Sequence, residues 1–261
     1  MRDRRLEALE RAVRGAGELA LSYFGKTIAE RKSDRSVVTE ADRAVERYLA
    51  ERLLAIDADA RVLGEEGTSE VASGSATWAI DPIDGTAMFV AGLSTWSVSV
   101  GLVRDGVPEL GCVYLPVSGE MFLAGARGPL LWNGVEIERS AESGAWNGVT
   151  FDSQAWVALS SNHHRRMRVT MPKVRALGST ASHLAWVARG GAVATVAWAR
   201  LWDVAGGLAC CRAAGVAFSY LSGAPVELEA LRNGERTPEP IVAAHPRDLE
   251  AVRRHIELLP G

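Results

Sequence analysis

Cysteine is scarce in this sequence. Cys112 stands alone and Cys210 is followed directly by Cys211, so the three thiols form neither a disulfide framework nor a zinc-binding spacing. Long apolar runs are also absent: none approaches a membrane span, and the first residues lead into an acid-containing amphipathic stretch rather than an apolar signal core. We therefore expect a cytoplasmic protein with no membrane partner.

The sequence has no excess of positive charge either. Its formal net charge is −3, which gives no basic surface for nucleic acid, and its eight tryptophans are scattered. The apolar fraction of 48% and the charged fraction of 23% are those of a globular protein. With 261 residues and no internal repeat or long linker, the chain can bury a large core as one unit or as two closely joined halves. A small molecule is the expected partner, and nucleic acid is not.

Hydrophobic spacing predicts two helices and then a run of strands in the first half. Apolar residues recur at three- and four-residue steps in two segments, and Thr39 is placed to cap the second. Short turns such as Asp105-Gly106 and Asn133-Gly134 punctuate the strand-like runs, which is typical of an antiparallel meander. The predicted helices are residues 5–24 and 39–56, and the predicted strands are residues 61–63, 78–81, 96–103, 107–114, 120–124 and 130–137.

The second half alternates strands with helices, which indicates an α/β arrangement. His183, in the first of these helices, is better explained as a packing or surface residue than as a ligand. A polar stretch near residue 145 is the expected boundary between an N-terminal α+β half, residues 1–145, and a C-terminal α/β half, residues 146–261. The predicted strands are residues 157–159, 173–177, 192–197 and 216–220, and the predicted helices are residues 180–189, 203–214 and 247–259.

The most informative segment is residues 78–86, Trp-Ala-Ile-Asp-Pro-Ile-Asp-Gly-Thr, where an apolar strand ends in two carboxylates. A proline fixes the backbone near a turn value, Gly85 permits a conformation that a side chain would resist, and Thr86 suits the start of a helix. The free N–H groups at that start would face a phosphate, and Asp81 and Asp84 would hold a divalent metal beside it. This segment therefore predicts a metal site next to a phosphate site.

Simpler interpretations of the same segment exist. Pro, Asp and Gly are common in surface turns for purely local reasons. A haloacid-dehalogenase-type phosphatase would need Asp-x-Asp after the strand, whereas two residues separate Asp81 from Asp84. An EF-hand loop would need further oxygen ligands at alternate positions, which Ala87, Met88 and Phe89 do not supply. From this segment alone, a surface turn and a metal site both stay open.

Three further acidic positions have similar local surroundings. Glu65 follows a short predicted strand, Asp203 begins a predicted helix, and Asp42 lies near the start of another. Taken singly, each has a structural explanation, as a solvated turn, a helix cap and half of a capping box respectively. Their occurrence together, in this order along the chain with the Asp-Pro-Ile-Asp-Gly-Thr motif, favours a shared site.

Together these segments resemble the inositol monophosphatase superfamily of Mg²⁺-dependent, lithium-sensitive phosphatases. The Asp-Pro-Ile-Asp-Gly-Thr and Trp-Asp-Val-Ala-Gly motifs are highly specific, and the matching stretches span most of the chain in the expected order. These stretches are residues 32–42, 63–66, 81–86, 178–181 and 202–206. The resemblance implies a layered α-β-α-β-α sandwich, a homodimer, and hydrolysis of a small phosphorylated metabolite by water that attacks phosphorus in line.

The resemblance also implies ligands for two or three Mg²⁺ ions, and such oxygen ligands suit this ion. The first ion would be surrounded by Glu65, Asp81, the Ile83 carbonyl and Thr86. The second would be held by Asp81, Asp84 and Asp203, and Asp42 would help to place a weaker third. The implied catalytic residues are Glu65, Thr86 and Asp42, and the attacking water would be held near the first two. The N–H groups of Gly85 and Thr86 would bind the phosphate.

The leaving group is harder to predict. Inositol monophosphatases usually place a substrate-binding Glu before the Trp-Asp motif, but residues 194–200 contain no carboxylate, and Ala87 and Met88 depart from the usual Thr-Asn. Residues 160–166, Ser-Ser-Asn-His-His-Arg-Arg, would bring cations to the cleft, although a solvated helix start explains them more simply. The candidate substrate-binding residues are Ser179, Thr180, His163, Arg165, Arg175 and Arg200.

An inositol-1-phosphate-like ester is the first expectation for the substrate. Histidinol phosphate, fructose 1,6-bisphosphate and 3'-phosphoadenosine 5'-phosphate are alternatives. The loop at residues 32–36 is closer to nucleotide- or histidinol-phosphate-type relatives, and a second anion on the substrate is the other reason to consider them. A function of another class also stays open, namely a metal-binding regulatory protein that keeps the fold and catalyses weakly. Ala87, Met88 and the missing Glu are what favour that alternative.

Overall fold

A computed structural model of the chain describes residues 3–26, 30–31, 37–70, 75–137, 156–159, 166–171 and 173–259. The candidate residues His163 and Arg165, the loop at residues 32–36 and the expected boundary near residue 145 lie outside these ranges. Within the described ranges, no helix is both long enough and apolar enough to cross a membrane.

Two long helices form the first layer, and both agree with the sequence prediction. Helix α1 (Arg4–Tyr23) begins after Asp3, whose carboxylate accepts a hydrogen bond from the Arg5 amide. Helix α2 (Glu40–Ile56) begins after Thr39, the predicted cap, in a capping box. The apolar face of each helix is buried against the other helix and against one face of a large sheet. A short ribbon, β1 (Glu30–Arg31) with β2 (Val37–Val38), precedes α2.

The second layer is an eight-stranded sheet. Its strands are β3 (Arg61–Gly64), β4 (Ser69–Glu70), β5 (Ala76–Asp84), β6 (Ser97–Arg104), β7 (Val107–Leu115), β8 (Glu120–Ala124), β9 (Leu130–Trp132) and β10 (Val135–Ile137). The order is β10-β9-β8-β7-β6-β5-β3-β4, and only β3 with β5 is a parallel pair. The predicted meander is confirmed. The run predicted at residues 130–137 forms two strands because Asn133 and Gly134 have positive φ values of 50° and 80°, which make a tight hairpin turn.

The third layer lies between two sheets and consists of α4 (Thr180–Arg189) and α5 (Leu201–Ala213), while the short α3 (Thr86–Val90) follows β5 directly. The fourth layer is a five-stranded sheet in the order β13-β11-β14-β16-β15. Its strands are β11 (Val157–Leu159), β13 (Val174–Arg175), β14 (Ala194–Ala197), β15 (Ala217–Tyr220) and β16 (Ile241–Ala244). Strand β11 is parallel to β13 and β14, whereas β16 is antiparallel to β14 and β15.

The last layer is helix α6 (Leu249–Arg254), which packs on β16. The fold is therefore the layered α-β-α-β-α sandwich that the sequence implied. The prediction of a single closing helix over residues 247–259 is wrong. The chain leaves α6 at His255 and forms strand β17 (Ile256–Leu258), which pairs antiparallel with β12 (Met167–Val169). Strand β16 and a 3-10 helix (Leu228–Asn233) were not predicted either.

Glycines allow α5 to lie directly on the first sheet. A methyl group on Gly111 of β7 would overlap the carbonyl oxygen of Gly206 and the side chain of Ala209, both in α5. A methyl group on Gly101 of β6 would overlap Ala205 in the same way. This close approach fixes the position of α5 relative to the sheet and so fixes where its first turn points.

Candidate active site

The end of β5 carries the two aspartates of the central motif. The pairing of β5 with β6 shifts in register between Asp81 and Asp84, which marks a bulge, and the proline between them has no N–H to donate to the ladder. Gly85 follows with φ 93°, a left-handed value that favours glycine, and α3 begins at Thr86. The predicted strand end, turn and helix start are therefore present.

Three carboxylates meet at this corner. Oxygen atoms of Glu65, Asp81 and Asp203 lie within 4.8 Å of one another. They come from the turn after β3, from β5 and from the first turn of α5. At such a separation and an effective dielectric constant of about 20, each ionised pair repels by roughly 3 kcal/mol. The group is stable as three anions only when positive charge is added.

Asp81 is the most deeply buried of the three. Its side chain is 2% exposed, and its Oδ1 atom has no hydrogen-bond partner within the part of the chain that the structure describes. Burial, followed by the charges of Glu65 and Asp84, raises the pKa of Asp81 well above its usual value. A buried carboxylate oxygen without a donor is suited to a cation.

Asp84 is held by the first turn of α4. Its Oδ2 atom lies 2.6 Å from the Ser179 hydroxyl and accepts from the Ala181 amide at 2.6 Å. Ser179 also caps α4 by accepting from the Ser182 amide at 3.0 Å. Burial raises the pKa of Asp84 to about 7, helped by the charge of Asp203 and opposed by the Ser179 hydrogen bond. The structure thus places Ser179 against a carboxylate, with Thr180 next to it as the first residue of α4.

Asp203 is held by its own helix. It is the third residue of α5, and its carboxylate accepts from the Arg200 amide at 2.6 Å. The first turns of α4 and α5 both lie at the carboxylate cluster, so the positive ends of two helix dipoles face the same corner. Such a corner favours negatively charged ligands as well as the carboxylates.

Asp42 and Thr86 connect α2 to the end of β5. The Thr86 hydroxyl lies 3.2 Å from Asp42 Oδ1 and 3.0 Å from the Ile83 carbonyl oxygen. Thr39 donates to Asp42 Oδ2 from its amide at 2.8 Å and from its hydroxyl at 2.6 Å. Burial raises the pKa of Asp42 to about 6, although the Thr39 hydrogen bonds oppose this. Asp42 therefore completes the capping box and also contacts Thr86 at the end of β5, while its part in metal binding stays a prediction.

A second buried carboxylate on α2 was missed from the sequence. Glu46 lies one turn after Asp42, is 1% exposed, and accepts from the amides of Glu66 at 2.7 Å and Thr68 at 2.9 Å. Burial raises the pKa of Glu46. The sequence did contain an indication of this buried carboxylate. Glu46 lies beside Val45 on the apolar face of α2, where a charged residue needs buried hydrogen-bond partners.

The arginines predicted to bind substrate have other partners in the structure. The Arg175 side chain is exposed and donates to the carbonyl oxygen of Val174 at 2.9 Å. The Arg200 guanidinium donates to the Gly234 carbonyl at 2.6 Å and lies over the Trp202 ring. Contact of either arginine with a substrate stays a prediction.

Two other residues from the sequence analysis have clear positions. His183 is buried and accepts from the Leu177 amide at 3.2 Å, and burial lowers the pKa of His183 to about 4, so its predicted packing role is confirmed. Arg166, which ends the polar stretch at residues 160–166, is exposed and stacks on the Trp198 ring at 4.6 Å from the ring centroid. Trp198 directly follows the end of β14.

The donor set at this corner fits divalent metal ions of the hard, oxygen-preferring kind. All of its candidate ligands are oxygen atoms, Asp81 presents an unpartnered buried oxygen, and the clustered carboxylates repel one another without a cation. Cysteine takes no part, because all three cysteines are buried in the core clusters.

Comparison with known proteins shows the family of this chain. A model of the inositol monophosphatase family matches residues 1–257. The fructose-1,6-bisphosphatase/inositol-1-monophosphatase of Thermotoga maritima is 30% identical over 222 residues, which are 84% of this chain and 86% of the relative. A histidinol-phosphatase of Chlorobaculum parvum is 32% identical over 182 residues, 68% of this chain and 70% of the relative. The solved structure of a Thermotoga maritima IMPase has a TM-score of 0.80 and 26% identity, and the match covers 96% of this chain and 95% of that one. The chain therefore belongs to the inositol monophosphatase family and is a phosphoric monoester hydrolase.

Proposed function

We propose that this protein hydrolyses the phosphate ester of a small metabolite with the help of bound Mg²⁺. The observation that carries the proposal is the meeting of Glu65, Asp81 and Asp203 within 4.8 Å at a corner that two helix N-termini face. The carboxylates attract cations, and the helix N-termini attract anions. Together they suit a ligand that combines a divalent cation with a phosphate.

Two or three ions would share the oxygen ligands. Glu65, Asp81, the Ile83 carbonyl and Thr86 would hold the first, Asp81, Asp84 and Asp203 the second, and Asp42 would help with a third. When bound, Mg²⁺ neutralises charge on the phosphoryl and leaving-group oxygens and lowers the pKa of water. Asp84 is already fixed by two donors on one oxygen, which leaves its other oxygen for a metal.

The protein's own groups would orient the reaction. Thr86, held between Asp42 and the Ile83 carbonyl, and Glu65 would position the attacking water in line with the phosphorus. The N–H groups of Gly85 and Thr86, at the start of α3, would donate to equatorial phosphate oxygens and stabilise the charge that they carry in the transition state. In-line attack by water needs no covalent phosphoenzyme and inverts the configuration at phosphorus.

For the substrate, we propose an inositol-1-phosphate-like ester first. Relatives carry the names fructose-1,6-bisphosphatase/inositol-1-monophosphatase and histidinol-phosphatase, so fructose 1,6-bisphosphate and histidinol phosphate are the competing candidates. The absence of a carboxylate in residues 194–200 weakens the case for a polyol with many hydroxyl groups.

The family resemblance also supports a homodimer that lithium inhibits. Three buried, free cysteines support a location in the reducing cytoplasm. The two sheets support the proposed halves: residues 61–137 supply one sheet and residues 157–244 the other.

The test is phosphate release from a panel of esters with Mg²⁺, with and without lithium, by the wild-type protein and Asp81→Asn. We expect wild-type activity that Mg²⁺ supports and lithium lowers, and almost no activity in Asp81→Asn. The matched control is Asp105→Asn in the exposed turn before β7, which should keep full activity. Near-normal turnover by Asp81→Asn would refute the proposal. Metal binding without release from any ester would favour the regulatory alternative.

A further inference from the structure

Glu65 is the one member of the carboxylate cluster that lies outside a regular strand or helix. Asp81 is fixed in a central strand and Asp203 in a helix, whereas Glu65 lies between β3 and β4 in a turn that includes Gly67 with φ 106°. Repulsion from Asp81 and Asp203 would move a freely hinged Glu65 towards water. Something has to hold this turn in place for the three oxygens to stay together.

Glu46 supplies that restraint from the neighbouring helix. Its Oε2 atom accepts from the Glu66 amide at 2.7 Å and its Oε1 atom from the Thr68 amide at 2.9 Å. The amide of Gly64 donates to the Thr68 carbonyl at 2.8 Å, and that of Glu65 to the Ile80 carbonyl at 3.2 Å. Charge-assisted hydrogen bonds are stronger than neutral ones, so one carboxylate holds both the middle and the end of the turn.

The sequence around the turn accommodates this carboxylate. Gly64 lies directly against Glu46, and a methyl group at Gly64 would overlap the carboxylate carbon and both of its oxygens. Glu46 is 1% exposed, which is costly for a charged group unless its hydrogen bonds are satisfied. Since Asp42 lies one turn earlier on the same helix face, α2 contacts the site at two points.

We infer that Glu46 is a positioning residue that aligns Glu65 for metal binding without itself being a ligand. This inference rests on the proposed metal-dependent function. Outer residues that orient metal ligands typically account for about 10- to 100-fold in metal affinity. Loss of Glu46 should therefore weaken Mg²⁺ binding while leaving the chemistry intact once the metal is saturating.

The experiment compares wild type, Glu46→Ala and Glu46→Gln by two measurements. Calorimetric titration with Mg²⁺ alone gives the affinity, and phosphate release against Mg²⁺ concentration gives the midpoint and the maximal kcat. We expect the midpoint and the dissociation constant of Glu46→Ala to rise about 10-fold or more, with maximal kcat within about 3-fold of wild type. Glu46→Gln keeps one acceptor oxygen, so its Mg²⁺ midpoint and dissociation constant should lie between those of wild type and Glu46→Ala.

Gly64→Ala tests the same contact from the other side. Its methyl group should displace the Glu46 carboxylate and raise the Mg²⁺ midpoint, and adding it to Glu46→Ala should have little further effect because the carboxylate is gone. Glu109→Gln is the matched control. Glu109 is a structural carboxylate paired with Arg5 and Arg104, at the end of the sheet opposite to Asp81, and its loss should leave the Mg²⁺ midpoint unchanged.

The outcomes separate this inference from the proposed function. If wild type itself fails to bind Mg²⁺, the proposed function fails. If wild type binds Mg²⁺ and both Glu46 variants bind it equally well, the positioning role is wrong. If Glu46→Ala does not fold, as judged by circular dichroism with a chelator present, the Glu46→Gln variant provides the test. A rise of about 3-fold or more in its Mg²⁺ dissociation constant supports the positioning role, and a smaller rise refutes it.

Discussion

Replacing Asp84 with asparagine should make the metal-free protein more stable while removing its response to Mg²⁺. Burial and the charge of Asp203 raise the pKa of Asp84 to about 7 from its ordinary value of 3.8. Between these two values the folded state binds a proton that the unfolded state has lost. The unfolding free energy of the metal-free protein therefore falls as the pH rises from about 4 to 7, and above pH 7 the whole loss caused by ionising Asp84 is present.

The magnitude follows from the size of the shift. About 3 pH units at 1.36 kcal/mol each give roughly 4 kcal/mol that the metal-free wild type loses by pH 8. Asparagine carries no charge, and its one oxygen can still accept from Ser179 and Ala181, because both donors contact the same oxygen of Asp84. With a chelator at pH 8, Asp84→Asn should thus be more stable than wild type by up to about 4 kcal/mol, and at pH 4 the difference should vanish.

Urea unfolding at several pH values, with chelator and with saturating Mg²⁺, measures both effects. Mg²⁺ at 100 times its dissociation constant should stabilise wild type by about 2.7 kcal/mol and Asp84→Asn far less. Asp105→Asn, an exchange of the same kind in an exposed turn, should show neither change. The reasoning is refuted if Asp84→Asn is no more stable than wild type in chelator at pH 8, or if the stability difference does not depend on pH.

Three further predictions concern the core and the site. Burial lowers the pKa of His183 to about 4 in the folded protein, against about 6.5 in the unfolded chain. The unfolding free energy of wild type should therefore fall by about 3 kcal/mol between pH 7 and pH 4 relative to that of His183→Gln. Stability measured by urea unfolding that changes equally with pH in the two proteins would contradict this. Gly111→Ala should cost about 1–3 kcal/mol in unfolding free energy, because its methyl group overlaps α5, and an unchanged urea midpoint would count against that packing. Thr86→Val should lower kcat about 100-fold or more, because it removes the hydroxyl that lies beside the Ile83 carbonyl. The control Thr77→Val removes a hydroxyl that has no hydrogen-bond partner in the described chain, and it should keep wild-type turnover. Equal kcat values for the two variants would exclude a catalytic hydroxyl at Thr86.

Elements with strong local signals were predictable from the sequence. The helices α1, α2 and α4 have apolar faces at helical spacing and a capping side chain, and their predicted bounds lie within one or two residues of those observed. The wrong prediction of one helix over residues 247–259 arose where the structure depends on distant rather than neighbouring residues. Strand β17 exists because it pairs with β12, almost 90 residues earlier in the chain, and no local pattern encodes that pairing.

The site shows the same division. The motif around Asp81 and Asp84 and the resemblance it carries indicated which oxygens belong together. They did not indicate that Ser179, predicted as a substrate contact, hydrogen-bonds to Asp84, or that Arg200 is directed to the Gly234 carbonyl. Those partners lie 95 and 34 residues apart in sequence, so only the packed chain brings them into contact.

The sequence by itself determined the family, the helices α1, α2 and α4, the meander of the first sheet and the identities of the acidic residues, because helix caps, glycine turns and hydrophobic spacing are set by neighbouring residues. The tertiary structure decided how close Glu65, Asp81 and Asp203 lie, and it assigned Glu46 to the turn beside them. The physical reason is that separation and burial set the repulsion and the pKa of each carboxylate, and both depend on how α2, α4 and α5 pack on the sheets.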